Sequence, residues 1–201
     1  VLKALFENYL ETGSRDNPSK FDVGPINTFI SQNFYDGLRF RIGGQTTANL
    51  NPHLFAKGYM AYGTKKHEKY YSAELTYSIR PKQYLPQEFP VNNIILSSKR
   101  DVALPSDKYA VTDKDNVFSS FKVHDIDKMF LYNTQRLAYE FETSTHWRFT
   151  ADLKTERIEP IGSLVLQPVI PGSAPLPNMR YTESTFGIRY APDEKFINTK
   201  Q

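Results

Sequence analysis

The sequence predicts an all-β chain folded as an antiparallel up-and-down meander. Two observations lead there. Apolar and polar residues alternate with period two in six separate segments, which places successive side chains on opposite faces of a strand. Gly, Pro, Asn, Asp and Ser then cluster between those segments, where turns and loops need them. Composition agrees: 14% of the 201 residues are aromatic while mean hydropathy is -0.53, so the apolar material is dispersed as large rings rather than gathered into aliphatic runs.

Taken in order, residues 1–20 are a lead-in and 21–198 form the folded domain, with 199–201 as a tail. Val23 to Ile30 is a weak strand because Gly24-Pro25 interrupts it, and Pro within a run demotes a strand. LRFRIGG puts Leu38, Phe40 and Ile42 on one face, against Arg39 and Arg41. The pair Gly43-Gly44 reads as a bend or bulge. Leu54 to Tyr62 sets Leu54, Ala56, Met60 and Tyr62 against Phe55, Lys57 and Tyr59. A polar hairpin connection, TKKHEK, joins it to Tyr71–Arg80, the clearest alternation, with Leu75, Tyr77 and Ile79 opposed to Glu74 and Arg80. Later come Leu137, Tyr139 and Phe141 against Arg136, Glu140 and Glu142; Trp147 and Phe149 against Arg148, Asp152 and Lys154, after a turn at Ser144; and Phe186, Ile188 and Tyr190 against Glu183 and Arg189. The proline-bearing stretches at about 81–130 and 160–180 are expected to be long loops. Within the first, Val91 to Leu96 and Val117 to Val123 are expected to pair only locally, and Asp125 to Tyr132 to form a helical turn or two.

Several classes of function fall away. Lys+Arg 25 against Asp+Glu 22 leaves no clustered basic face, so nucleic acid is not an expected partner. Without cysteine there is no disulfide framework, thiolate metal site or cysteine nucleophile. The opening VLKALFENYLETG lacks the basic start and apolar core of a signal peptide and reads as a cut or processed chain. No 18-residue apolar run exists to cross a bilayer as a helix. A transmembrane strand needs only about 9–11 alternating residues.

That last point decides how the alternation is read. In a transmembrane β-barrel the outside is apolar with aromatic girdles and the interior is polar. Here one set of faces carries rings and the other carries charges of both signs. The expected lipid-facing set is Leu38, Phe40, Ile42, Leu75, Tyr77, Ile79, Tyr139, Phe141, Trp147, Phe149, Phe186 and Ile188. The expected lumen lining is Arg39, Arg41, Glu74, Arg80, Arg136, Glu140, Arg148, Asp152, Glu183 and Arg189. Taking 81–128 as one external loop places the turn at 64–69 and the turn at Ser144 together on the periplasmic side.

Five stretches, GPINTF (24–29), DGLRFRIGGQTT (36–47), KGYMAYGTKKHEKY (57–70), RIEPIG (157–162) and FGIRYAPDEKF (186–196), occur in this order. Together they resemble the barrel region of a Bacteroidetes outer-membrane family that has no established function and usually carries a carboxypeptidase-regulatory-like N-terminal domain. The resemblance spans roughly residues 20–198. It implies an integral barrel in the outer membrane of a Gram-negative bacterium, of which this chain is the amino-terminal part, and it brings no catalytic residues.

Other chemistry is thin. His124-Asp-Ile-Asp127 holds metal-ligand types but no second cluster matches it, and Thr112 to Asn116 lacks the glycine and distal glutamate of a calcium loop. Glu140, Glu142 and Asp152 share a face, as paired-carboxylate hydrolysis requires, but interleaved Arg136, Arg148 and Lys154 point to an ion-pair ladder. The expected protein is therefore a non-enzymatic outer-membrane barrel serving transport, assembly or surface scaffolding. No cofactor or metal is expected, and its partners are membrane lipid and other envelope proteins. The alternatives are a soluble β-sheet lipid- or glycan-binding module, in which the aromatic face covers an interior, and an outer-membrane enzyme with a loop-borne site.

Overall fold

The structure is a computed structural model that describes residues 8–14, 16–105, 127–170 and 172–192. Ten strands form one antiparallel sheet. They are β1 (Leu10–Glu11), β2 (Phe21–Val23), β3 (Ile30–Asn33), β4 (Gly37–Thr46), β5 (Leu54–Gly63), β6 (Lys69–Ser78), β7 (Asn92–Ala103), β8 (Lys128–Glu142), β9 (Trp147–Gly162) and β10 (Met179–Tyr190). The order is β1-β2-β4-β5-β6-β7-β8-β9-β10, with β3 pairing along the remaining part of β4. An antiparallel meander is thus what the alternating segments build. The sheet is not closed: beyond β9, β10 meets no other strand among the described residues.

The weak early segment resolves as its proline suggests. Gly24-Pro25 separates β2 from β3, a single 3-10 turn (Ile26–Thr28) intervenes, and both short strands share the edge of β4. Gly43 and Gly44 do not make a bulge. The β4–β5 register runs unbroken from Arg39↔Gly63 to Gln45↔Lys57. A Cβ on Gly43 would lie 2.7 Å from the Gly58 carbonyl oxygen and 2.9 Å from that of Gly24, so glycine here permits the neighbouring backbones to approach closely.

The stretch 81–130 is not one loop, because β7 crosses the sheet within it. The local pairing expected at Val91 to Leu96 is a 12-residue strand. Its alternation was obscured because Ile94, Ile95 and Leu96 are consecutive apolar residues: Ile95 is buried on the polar face between Thr76 and Ala138. Nor is there a helical turn at the start of β8, since Lys128–Tyr132 pairs with Gly162–Ile158. Val117 to Val123 lies outside the described residues. With β7 in place, the connections at 47–53, 79–91 and 143–146 fall at one end of the sheet. Those at 64–68, 104–127 and 163–178 fall at the other. The two short turns therefore occupy opposite ends, and sorting them together fails because it missed one crossing.

The sheet curls toward its polar face. Arg39 on β4 reaches Asp101 on β7 at 2.7 Å, although three strand spacings measure about 14 Å on a flat sheet. At one end the connection 79–91 folds beneath this concave face. Ala48 N–H donates to the Tyr84 carbonyl at 2.9 Å, the Tyr84 hydroxyl to Asp22 at 2.8 Å, and the Asn93 amide to the Pro86 carbonyl at 2.8 Å. At the other end a small apolar cluster of Ala61, Tyr70, Val102, Leu104 and Met129 is capped by Phe34 and Tyr35.

Candidate functional site

The register assigns each strand residue to a face. Arg39, Arg41, Glu74, Arg136, Glu140, Arg148, Asp152, Glu183 and Arg189 share the concave face. Arg39 sits buried against Asp101 and over the Tyr70 ring at 4.7 Å. The Arg41 guanidinium lies 3.6 Å from the centroid of Tyr59, whose hydroxyl donates to Asp101. Further along, Arg136 pairs with Asp152, Arg148 with Glu140 at 2.7 Å and Lys154 with Glu183 at 2.8 Å. Glu74 stands opposite Lys57, and Arg189 opposite Arg148. Arg80 lies beyond the last residue of β6, outside the register, and is exposed.

Because pairing here runs across strands, the ladder ties the concave face together laterally. Asp101, Tyr59, Tyr70 and Asp36 are its principal additions to the residues read from sequence. Asp36, with no solvent exposure, accepts from the Tyr70 hydroxyl and from the Asn33 amide at 2.9 Å. The only available signal was the odd-position polarity of Lys99 and Asp101 within a segment read as loop. The carboxylates considered for hydrolysis are each engaged: Glu140 and Asp152 by arginines, and buried Glu142 by the Val91 N–H at 3.1 Å. Among the described residues no group of three metal-ligating side chains forms. The candidates at 112–116 and at His124 lie outside the described residues.

Loop 79–91 adds one buried cation. Lys82 is 7% exposed and donates to the carbonyls of Glu88 and Pro90. Burial holds its amine below the usual lysine value, outweighing the attraction of Glu88 and Glu142. Burial and hydrogen bonding to Asp22 push the Tyr84 hydroxyl in the opposite direction, upward.

The opposite face is apolar and open. Eleven of the twelve residues of the expected lipid-facing set lie on it by register; Ile79 follows the last residue of β6 and is 47% exposed. Phe186 is 82% exposed, Ile188 71% and Ile42 70%. Covering such side chains is worth about 1.5–3 kcal/mol each, and an uncovered belt of this extent marks a surface meant to be covered. Its registered rungs are continuous: Ala56–Leu75–Leu96–Leu137–Leu153, then Leu54–Tyr77–Ile94–Tyr139–Ala151–Phe186.

The belt also slants across the strands. On β5 its outward positions run from Leu54 to Tyr62 and centre on Gly58; on β10 they run from Phe186 to Tyr190 and centre on Ile188. Following the register from Gly58 leads through Ala73, Ser98, Gln135 and Thr155 to Thr182. Ile188 lies six residues further along β10. Six residues span about 20 Å, while five strand spacings span about 24 Å, so the belt crosses the strands at a slope of about 40°. Trp147 stacks on Tyr190 at one margin, with ring centroids 4.5 Å apart.

The fold and its surfaces define a class: a single curled antiparallel sheet, charged and cross-linked on its concave side, apolar and exposed on its convex side. No family model, curated protein or solved structure matches the chain.

Proposed function

We propose that the chain is part of the wall of an outer-membrane β-barrel, with its convex belt in the acyl chains and its concave ladder lining the interior. The slanted belt carries the reading. A bilayer is a flat slab, so the apolar zone of a barrel must run level around it while the strands tilt by about 35–45°. Seen along the strands, a level zone becomes a diagonal one of that slope, and a belt of about 40° is what this sheet presents. A soluble carrier needs its apolar residues inside the curl, whereas here the curl holds arginines and carboxylates. No helix among the described residues is long and apolar enough to cross a membrane, which leaves crossing by strands untouched.

The resemblance to the Bacteroidetes family supports the outer membrane as the location; transport, assembly and surface scaffolding are the roles a non-enzymatic barrel wall would serve there. Extraction and reconstitution of the intact protein test the placement: folding should require detergent or bilayer. A monomer folded in plain buffer overturns it. Planar-bilayer recording then separates the roles, since stepwise conductance identifies transport and a silent bilayer favours assembly or scaffolding.

A further inference from the structure

We propose that an outward row of arginines above the belt, on β7, β9 and β10, binds the phosphate of a membrane-lipid headgroup; this rests on the belt facing acyl chains. One rung of the sheet runs Ile42–Met60–Tyr71–Arg100–Asn133–Arg157–Arg180. Its first members belong to the apolar belt. Where the belt has slanted away, the same rung becomes charged. On β7, β8 and β9 only the uncharged rung Ser98–Gln135–Thr155 separates it from Leu96, Leu137 and Leu153. That is the level at which chains leave the hydrocarbon for the headgroups, and at which long cationic side chains settle.

Three features distinguish the row from an ordinary solvated surface. Arg157 and Arg180 are directly opposed across β9 and β10, an arrangement that repels and that an anion between them would relieve. Exposed Arg180 has no carboxylate partner among the described residues. Arg100 and Arg157 hold Glu68 and Glu159 only at 3.2 and 3.0 Å, with 38% and 54% of their own side chains exposed. Second, Arg100, Leu131, Asn133, Arg157 and Glu159 line a cleft of about 200 Å³. There Asn133 Oδ1 is taken by the Gln135 amide at 3.2 Å, leaving the Asn133 NH₂ as a donor beside the guanidinium groups. Planar guanidinium forks match phosphate oxygens in pairs.

The third feature is asymmetry. This end of the sheet also carries Lys65, Lys66 and Lys69 at the β5–β6 turn, whereas the opposite margin of the belt carries Trp147 and Tyr190. It is the end bearing the connection 163–178, and long loops mark the external side of such barrels. The lipid is accordingly one of the outer leaflet.

The test uses the intact protein in uncharged-detergent micelles, titrated with phosphatidylglycerol and read by native mass spectrometry. Diacylglycerol, which lacks the phosphate, is the control. Wild type should retain phosphatidylglycerol and not diacylglycerol. The triple variant Arg100→Gln, Arg157→Gln, Arg180→Gln should bind at least tenfold more weakly, and Arg180→Gln alone about threefold. The single variant removes no ion pair within the described residues, so it decides the matter even where the triple variant misfolds. Unchanged binding by Arg180→Gln overturns the proposal. So does displacement of the lipid by inorganic phosphate at matching concentration, which would mark a free-anion site. Micelle binding does not depend on a bilayer around the belt, so its failure is separable from failure of the barrel reading, which the folding test on Leu137 reports.

Discussion

Leu137→Arg is the sharpest perturbation of the belt. Leu137 sits on β8 in the rung Leu75–Leu96–Leu137–Leu153, flanked on both sides by leucine, and is 49% exposed. In water, replacing a half-exposed surface leucine changes stability by about 0.5 kcal/mol or less. At the middle of a bilayer an outward arginine costs about 2–4 kcal/mol, falling to about 0–1 near the interface. Gln135 occupies the next outward position on the same strand and provides the control. The difference between Leu137→Arg and Gln135→Arg should therefore be about 2–3 kcal/mol, a factor of about 30–150 in the folding equilibrium. Reversible urea unfolding of the intact protein in phosphatidylcholine vesicles measures it. The single tryptophan, Trp147, sits at the belt margin, so its emission reports burial in the bilayer. Equal effects of the two substitutions would refute the lipid-facing assignment.

Other substitutions probe the concave side. Asp101→Asn removes the charge paired with the buried Arg39 and turns one of the two carboxylate oxygens that Arg39 and Tyr59 share into an NH₂ donor; denaturation should show a loss of about 3–5 kcal/mol, and the double variant Arg39→Met, Asp101→Leu should recover most of it. Lys82→Met leaves two buried carbonyls without their donor and should cost about 1–3 kcal/mol in the same assay. The depressed Lys82 amine also gives a pH signature. Between its lowered folded value and the unfolded value near 10.4 the unfolded chain binds more protons, so wild-type stability from this group rises with pH across that window, and Lys82→Met abolishes the rise. Unfolding midpoints at about pH 8 and about pH 10 for wild type and variant compare the slopes. Gly43→Val forces a Cβ against two carbonyl oxygens, and lowered amide-exchange protection across β4 and β5 should follow.

Sequence periodicity revealed strands where burial differs between faces and concealed them where it does not. Leu75 and Tyr77 opposite Glu74 lie on an open face and a polar face, so β6 was plain. Ile95 is apolar on the concave side, buried between Thr76 and Ala138, while Ser98 and Arg100 are polar on the convex side, and together they disguise β7 as loop. Missing β7 also hid Asp101, the group on which Arg39 and Tyr59 converge. Which face each expected residue occupies was legible, since parity along a strand survives any error in its ends. Which residues meet was not, because Arg39 and Asp101 are joined by the curl of the sheet rather than by spacing in the chain.

The two margins of the sheet are unequal among the described residues. At the amino-terminal margin β4 is capped piecemeal by β2 and β3, with a 3-10 turn between them, which offers an incoming strand no uninterrupted template. β10 offers twelve residues of one. A strand added at β10 would have its register dictated in advance: apolar positions must fall beside Phe186, Ile188 and Tyr190. Among the described residues the two margins thus leave a neighbour unequal lengths of continuous backbone, twelve residues at β10 and short interrupted pieces at the other edge.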